Sequence, residues 1–467
     1  MNNTQRIAVI GAGPSGIAAL RAFESAEQAG AEVPDIVAFE KQSDWGGQWN
    51  FTWRTGMDTT GEPVHSSMYR NLWSNGPKEV LEFAEYTFDE HFGRPISSYP
   101  PREVLWDYID GRMRGSEAKS KVRFNTVVRW VQHRPETDDF VVSSEDLLTG
   151  QTRSERFSHV VVATGHFSFP NVPAFEGIET FPGQVMHAHD FRGAEALAGK
   201  RVLLVGSSYS AEDIGSQIYK MGAEQVTISY RSAKLGYDWP EGIEEVPLLN
   251  RVDGSTVHFA DGQRRDVDMI ILCTGYRHHY PFMPGELSLS GPNTVYPEGL
   301  YRGVVWHENP KVHYLGAQDQ WLTYNMFDAQ AWYSRDLILG RAELPSAEER
   351  AAHMADWKAR FAAIPGEIEE ARFQCDYVED LIEQTDYPMF DLDAVFEILA
   401  SWKKAKKAGI MTYRDHSYRS VMTGTMAAQH HTPWLEELDD SLFRYLMDPE
   451  VVAAERADAG QGSGLMR

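Results

Sequence analysis

Cysteine is nearly missing: only Cys273 and Cys375 occur among 467 residues, and they stand far apart. That excludes a disulfide scaffold and argues against a dithiol reductase, which needs a close redox-active pair. The expectation is two buried, inert thiols in a reducing cytoplasm. No stretch approaches the ~20 uninterrupted apolar residues needed to span a bilayer. The first apolar strand starts at Arg6-Ile7, which leaves no room for a signal peptide ahead of it. The reading is a soluble, cytoplasmic protein with no membrane partner. Basic residues are in deficit, 44 Lys and Arg against 68 Asp and Glu, for a net charge of -24. No Lys/Arg run concentrates them, so nucleic acid is a poor partner. The acidity serves solubility or faintly attracts cationic substrates. Hydrophobic residues, at 42%, are ample for two or three domains with sizeable cores.

Ile7-Ala8-Val9-Ile10 reads as a buried parallel strand. Gly11-Ala12-Gly13-Pro14-Ser15-Gly16 follows, and then a segment of helical composition, Ile17 to Phe23. Strand, Gly-x-Gly-x-x-Gly and helix in that order suit a dinucleotide pyrophosphate. Gly11 permits the tight turn, Gly13 lets the backbone approach the phosphates, and Gly16 brings helix and strand together. Ser15 lies within the same loop. A second strand, Asp35 to Phe39, ends at Glu40, 24 residues after Gly16. A carboxylate there accepts from ribose hydroxyls and repels a 2'-phosphate, which favours FAD or NAD over NADP.

The pattern returns at Lys200 to Val205, running into Gly206-Ser207-Ser208-Tyr209-Ser210-Ala211 and a helix from Glu212. The second and third glycines are replaced by Ser208 and Ala211. Small residues keep the close packing, and serine hydroxyls can donate to phosphate. The next strand, Val226 to Tyr230, ends at Arg231. That side chain either forks onto a 2'-phosphate or is a solvated surface arginine. The first site thus reads as FAD and the second as NADPH. Two apolar strands, Val160 to Ala163 and Met269 to Cys273, each run into Thr-Gly, at Thr164-Gly165 and Thr274-Gly275. Prolines follow each, marking crossings between two nucleotide domains. The fold class is therefore α/β, with two Rossmann-like dinucleotide-binding domains. The NADP domain, 170–280, is inserted into a discontinuous FAD domain, 1–169 and 281–467. Residues 345–408 should form helices, and Ala459 to Gly464 a flexible tail.

Together these residues resemble the flavin-containing monooxygenase family over nearly the whole chain. Its identifying string, Phe-x-Gly-x-x-x-His-x-x-x-Phe/Tyr, appears as Phe181, Gly183, His187 and Phe191. Related Baeyer–Villiger enzymes carry Trp at the last position. Gly46-Gly47-Gln48-Trp49 resembles the family's flavin-contacting turn, and Cys273-Thr274-Gly275-Tyr276 its terminal Ala-Thr-Gly-Tyr element. Asn75 matches an asparagine placed near the flavin. A narrower likeness, to the bacterial members that oxygenate trimethylamine, rests on residues 45–50, 206–213, 319–321 and 325–330. The resemblance implies a homodimer using FAD, NADPH and O2 to form an amine N-oxide through a C4a-hydroperoxyflavin.

It also implies a set of site residues. Asn75 donates towards the flavin adduct, and Tyr209 closes over the nicotinamide; the alternatives are a plain turn residue and a solvent-facing side chain. Gln48, Trp49, Thr274 and Gln320 join the cofactor-binding set, and Asp319 and Trp321 the substrate side. Trp321, Tyr324, Phe327 and Trp332 form an aromatic stretch that lines the amine pocket or simply packs the core. No metal is expected: His278-His279 and His430-His431 read as surface imidazoles. Alternatives at this stage are S-oxygenation, an FAD/NADPH reductase or oxidase, and a non-catalytic redox sensor.

Overall fold

The structure, a computed structural model, describes residues 5–462, with side chains through 455. The apolar run at the start forms the strand Arg6–Ile10, with Ile7 to Ile10 buried. It pairs in parallel with Asp35–Phe39 on one side and His159–Val162 on the other. Covered on both faces, such a strand has no solvent side to mark with polar residues, so its sequence is continuous rather than alternating. The full sheet has seven strands in the order Leu300–Tyr301, Val305–Trp306, Val312–Tyr314, His159–Val162, Arg6–Ile10, Asp35–Phe39, Val122–Arg123.

A second, all-parallel sheet has the order Ile243–Val246, Gln225–Ser229, Arg201–Val205, Met269–Leu272, Gln184–His187. Its five strands all fall between residues 184 and 272, whereas the first sheet draws strands from both sides of that span. Each sheet is built to one plan. Strand, glycine loop, helix and strand come first. A three-stranded antiparallel unit follows, 126–157 in one case and 249–266 in the other. A return strand then lies beside the first and ends at a Thr-Gly pair. The fold is α/β with two dinucleotide-binding units.

Three helices cover the expected helical region: Ala347–Ala362, Glu367–Ile382 and Leu392–Ala408. The first starts with a reciprocal Ser346–Glu349 capping box, which satisfies two orphan backbone donors. Three of the four residues of the aromatic stretch, Tyr324, Phe327 and Trp332, lie on the helix Thr323–Ile338, with Trp321 just ahead of it. That helix packs on the helix Pro14–Gln28, with Arg335 Nη1 donating to the Ala22 carbonyl at 3.3 Å. The tail expectation needs correction: Ala459 to Gly462 belong to a helix, Pro449–Gly462, because the acidic Ala-rich stretch before them propagates it. Ser463 and Gly464 lie outside the described residues. Among the described residues no helix is long and apolar enough to cross a membrane. Both cysteines are free and buried, and burial pushes the Cys375 thiol up to about 12.

Candidate active site

Gly11 has φ +100°, and a Cβ there would lie 2.5 Å from the carbonyl oxygen of Ala163. Only glycine combines that conformation with that approach. Gly16 packs tighter still, since its Cβ would meet the Gly11 oxygen at 2.1 Å. Gly13 is the N-cap of the helix Pro14–Gln28, so the helix's unpaired N–H groups open onto the loop. Ser15 is buried, its hydroxyl donating to the Ala163 carbonyl at 3.3 Å. Glu40 is aimed by two backbone donors: Ala12 N–H to Oε2 and Gln42 N–H to Oε1, both 2.8 Å. Burial raises its pKa, and those two bonds oppose the shift. Each oxygen keeps a further lone pair for a ribose hydroxyl.

The Gly46-Gly47 turn closes over this loop. Gly46 N–H donates to the Ala12 carbonyl at 2.8 Å, and a Cβ on Gly47 would sit 2.8 Å from Gly13 Cα. Gln48 is spent on the protein itself. Its amide donates to the carbonyls of His65 and Phe167 at 3.2 Å and accepts from Ser67 N–H at 2.8 Å. It fixes the turn and leaves little capacity for a ligand.

The second loop repeats the device. Gly206 has φ +125°, and its Cβ would lie 2.1 Å from the Cys273 oxygen, on the return strand of its own sheet. The helix begins at Tyr209, with Ser208 at its N-cap position, three residues earlier than expected from Glu212. Ser207 donates to the Ala233 carbonyl at 3.0 Å, and Thr274 to that of Asn171 at 2.6 Å. Arg231 is exposed and makes no hydrogen bond or ion pair with another described residue.

One cavity of about 1890 Å³ joins the two loops. Single-ligand pockets span roughly 300–1,000 Å³, so this volume suits two dinucleotides plus a small substrate. Every expected cofactor or substrate residue lines it except Gly16, whose place is between helix and strand. The turn carrying Asn75 is held by Ser74, which receives Arg414 Nε on its carbonyl at 3.1 Å. The Asn75 amide makes no hydrogen bond with another described residue and is free for a ligand. Tyr209, Asp319, Trp321 and Trp402 form the far wall, Trp321 and Trp402 meeting edge-on at 6.2 Å. Trp321 N–H donates to Gln374 Oε1 at 2.8 Å, which anchors the residue to the helix Glu367–Ile382. Burial raises the Asp319 pKa, with the Gln320 backbone and Lys403 opposing.

The aromatic stretch divides. Trp321, Tyr324 and Phe327 reach the cavity, whereas Trp332 is core. The surface assignment of the histidine pairs holds only for His279. His278 is buried beside Tyr280, and His430 and His431 are half-buried, converging with Glu437 within 4.8 Å. Arg444 Nε stands 3.5 Å from Glu437 Oε2, a fixed positive charge where a cation would be held. Sequence reading missed His166, Asn293 and Trp402. All three line the cavity and carry a buried polar atom with no protein partner, as do Gln320 and Tyr324. Such orphans are what a bound polar ligand would satisfy. No local pattern marks them, because each sits outside the glycine loops.

The donor set fits the two nucleotides: helix N-termini for pyrophosphates, a carboxylate at one ribose position and a free guanidinium at the other. The profile of the flavin-binding monooxygenase-like family matches residues 4–237. The chain is 57% identical over 448 residues to the trimethylamine monooxygenase of Methylocella silvestris, covering 96% of this chain and 99% of the relative. It is 56% identical to the trimethylamine monooxygenase of Roseovarius nubinhibens, over 95% of this chain and all of the relative. The crystal structure of Tmm from Pelagibacter sp. strain HTCC7211 superposes with a TM-score of 0.93 at 48% identity, covering 95% of this chain and 100% of that one.

Proposed function

Because the chain belongs to the flavin-binding monooxygenase-like family, we propose that it N-oxygenates a small tertiary amine, trimethylamine, to the N-oxide. The reaction consumes NADPH, a proton and O2 and releases NADP+ and water. One observation carries this reading: a single cavity connects the loop beside Glu40 to the loop beside Arg231, and the free Asn75 amide is part of its lining. FAD, when bound, accepts hydride from NADPH and activates O2; the protein supplies binding, orientation and exclusion of water.

On this reading the domains divide at 169/170 and 280/281. Gly11, Gly13, Ser15, Gly16 and Glu40 hold FAD, with Trp49 beside it and Gln48 bracing the turn. Gly206 to Ser210, Thr274 and Arg231 hold NADPH. Asn75 donates from the turn, Tyr209 closes the nicotinamide end, Gln320 offers its orphaned oxygen to a cofactor, and Asp319 and Trp321 receive the amine. The amine reacts through its lone pair, so the neutral form is the nucleophile, and the aromatic wall suits its methyl groups. The two buried free thiols suit a reducing cytoplasm, and a homodimer is the assembly we expect. Purified yellow protein supplied with NADPH, O2 and trimethylamine should yield the N-oxide by mass spectrometry, one per NADPH. Brisk NADPH consumption without N-oxide would favour the oxidase alternative.

A further inference from the structure

Three cations from the C-terminal region grip the N-terminal end of the second nucleotide helix. Lys403 Nζ donates to Tyr209 Oη at 3.2 Å, Lys406 pairs with Glu212, and Arg414 pairs with Asp213. Lys403 and Lys406 are one helical turn apart, as are Tyr209 and Glu212, so the contacts run in register. Arg414 also holds the Ser74 carbonyl beside Asn75. The two nucleotide units are thus tied by a segment belonging to neither glycine loop.

Lys403 stands out within this group. It is 5% exposed, and its ammonium lies 4.4 Å from the Trp321 ring, 4.9 Å from Trp402 and 5.2 Å from Tyr209. Its only ion pair among the described residues is with Glu367, at 3.2 Å, whose side chain is 61% exposed. A buried ammonium with one exposed partner is a weak source of stability, and a hydrophobic residue of similar size generally does as well. What the ammonium contributes is placement, because it touches a ring from each nucleotide unit. It is absent from the cavity lining, so it reaches the reaction space only through those rings.

We propose that Lys403 is a positioning residue for the oxygenation, holding Tyr209 and Trp321 as one wall over the nicotinamide end of the cavity. This rests on the functional reading above. The remaining charged groups that act on it are Glu370, Asp319 and, on the next helical turn, Lys406.

The test is a double-mutant cycle on the flavin-loaded protein with K403M, Y209F and the pair, and K403R as rescue. Three quantities are read: melting temperature, the NADP+ dissociation constant from intrinsic fluorescence, and hydrogen peroxide released per NADPH consumed with amine saturating. K403M should raise the NADP+ dissociation constant about 3- to 10-fold, the worth of one hydrogen bond, and raise peroxide release with it. Its melting temperature should stay within about 2 °C of wild type. The double variant should be no worse than the worse single one, since both remove the same contact, and K403R should recover most of the loss. Additive losses, an unchanged dissociation constant in K403M, or a loss that K403R does not mend would each overturn the proposal. Wild-type protein showing no amine-dependent NADPH oxidation would instead overturn the functional reading, and that result needs no variant.

Discussion

Replacing Arg231 with alanine separates the two nucleotide loops experimentally. The guanidinium sits at the end of the strand Gln225–Ser229, lines the cavity and has no partner among the described residues, so binding a phosphate breaks nothing. A hydrogen bond to a charged group contributes about 1.5–3 kcal/mol, and a bidentate arginine fork lies at the upper end. Exposure and salt screen this one, leaving about 1.5–2.5 kcal/mol. At tenfold per 1.4 kcal/mol, the NADPH KM should rise roughly 10- to 60-fold. NADH has no 2'-phosphate, so its KM should hardly move, and kcat with saturating NADPH should be nearly kept. Steady-state kinetics with both nucleotides at low and high salt make the assay, and the NADPH penalty should shrink as salt rises. A rise below about threefold, or equal losses for NADPH and NADH, would refute the assignment of Arg231 to the 2'-phosphate.

Gly16→Ala forces a Cβ to within 2.1 Å of a backbone oxygen that cannot yield. The purified variant should lose most of its visible flavin absorbance, and stoichiometric flavin would contradict the packing argument. Glu40→Gln turns an acceptor pair into one acceptor and one donor facing the N–H groups of Ala12 and Gln42. FAD affinity should fall roughly 10- to 100-fold, as measured by flavin release on dilution. Glu370 has its pKa raised to about 7 by burial and then by Asp319. Folded protein therefore holds this proton more tightly than unfolded protein does, and stability falls as pH rises from the ordinary carboxyl range through about 7. Glu370→Gln should accordingly melt higher than wild type at pH 8 and the same at pH 4.5. A pH-independent difference would reject the linkage.

Local sequence sufficed for everything that depends on neighbours in the chain. The strand, glycine loop and helix of each nucleotide unit are contiguous, and Glu40 and Arg231 follow at the end of the next strand. The glycine spacing is a pattern within a single loop, so Gly11, Gly16 and Gly206 were legible without the fold, although the carbonyls that Gly11 and Gly206 approach, those of Ala163 and Cys273, lie far along the chain. The serine substitutions in the second loop were legible for the same reason. The far wall of the cavity was not. Trp402 and Lys403 sit on a helix whose local sequence reads as ordinary helix surface and core, yet Lys403 meets Tyr209 and Trp402 meets Trp321, both far away in the chain. Trp332 and Trp321 look alike in sequence, yet one is core and the other faces the cavity, because only packing against the Pro14–Gln28 and Glu367–Ile382 helices decides which side of each is covered. The histidine pairs were misjudged on the same ground: adjacency along the chain says nothing about which residues close over them. Tertiary structure decided these matters because burial and charge pairing depend on what lies opposite a residue rather than on what lies beside it in sequence.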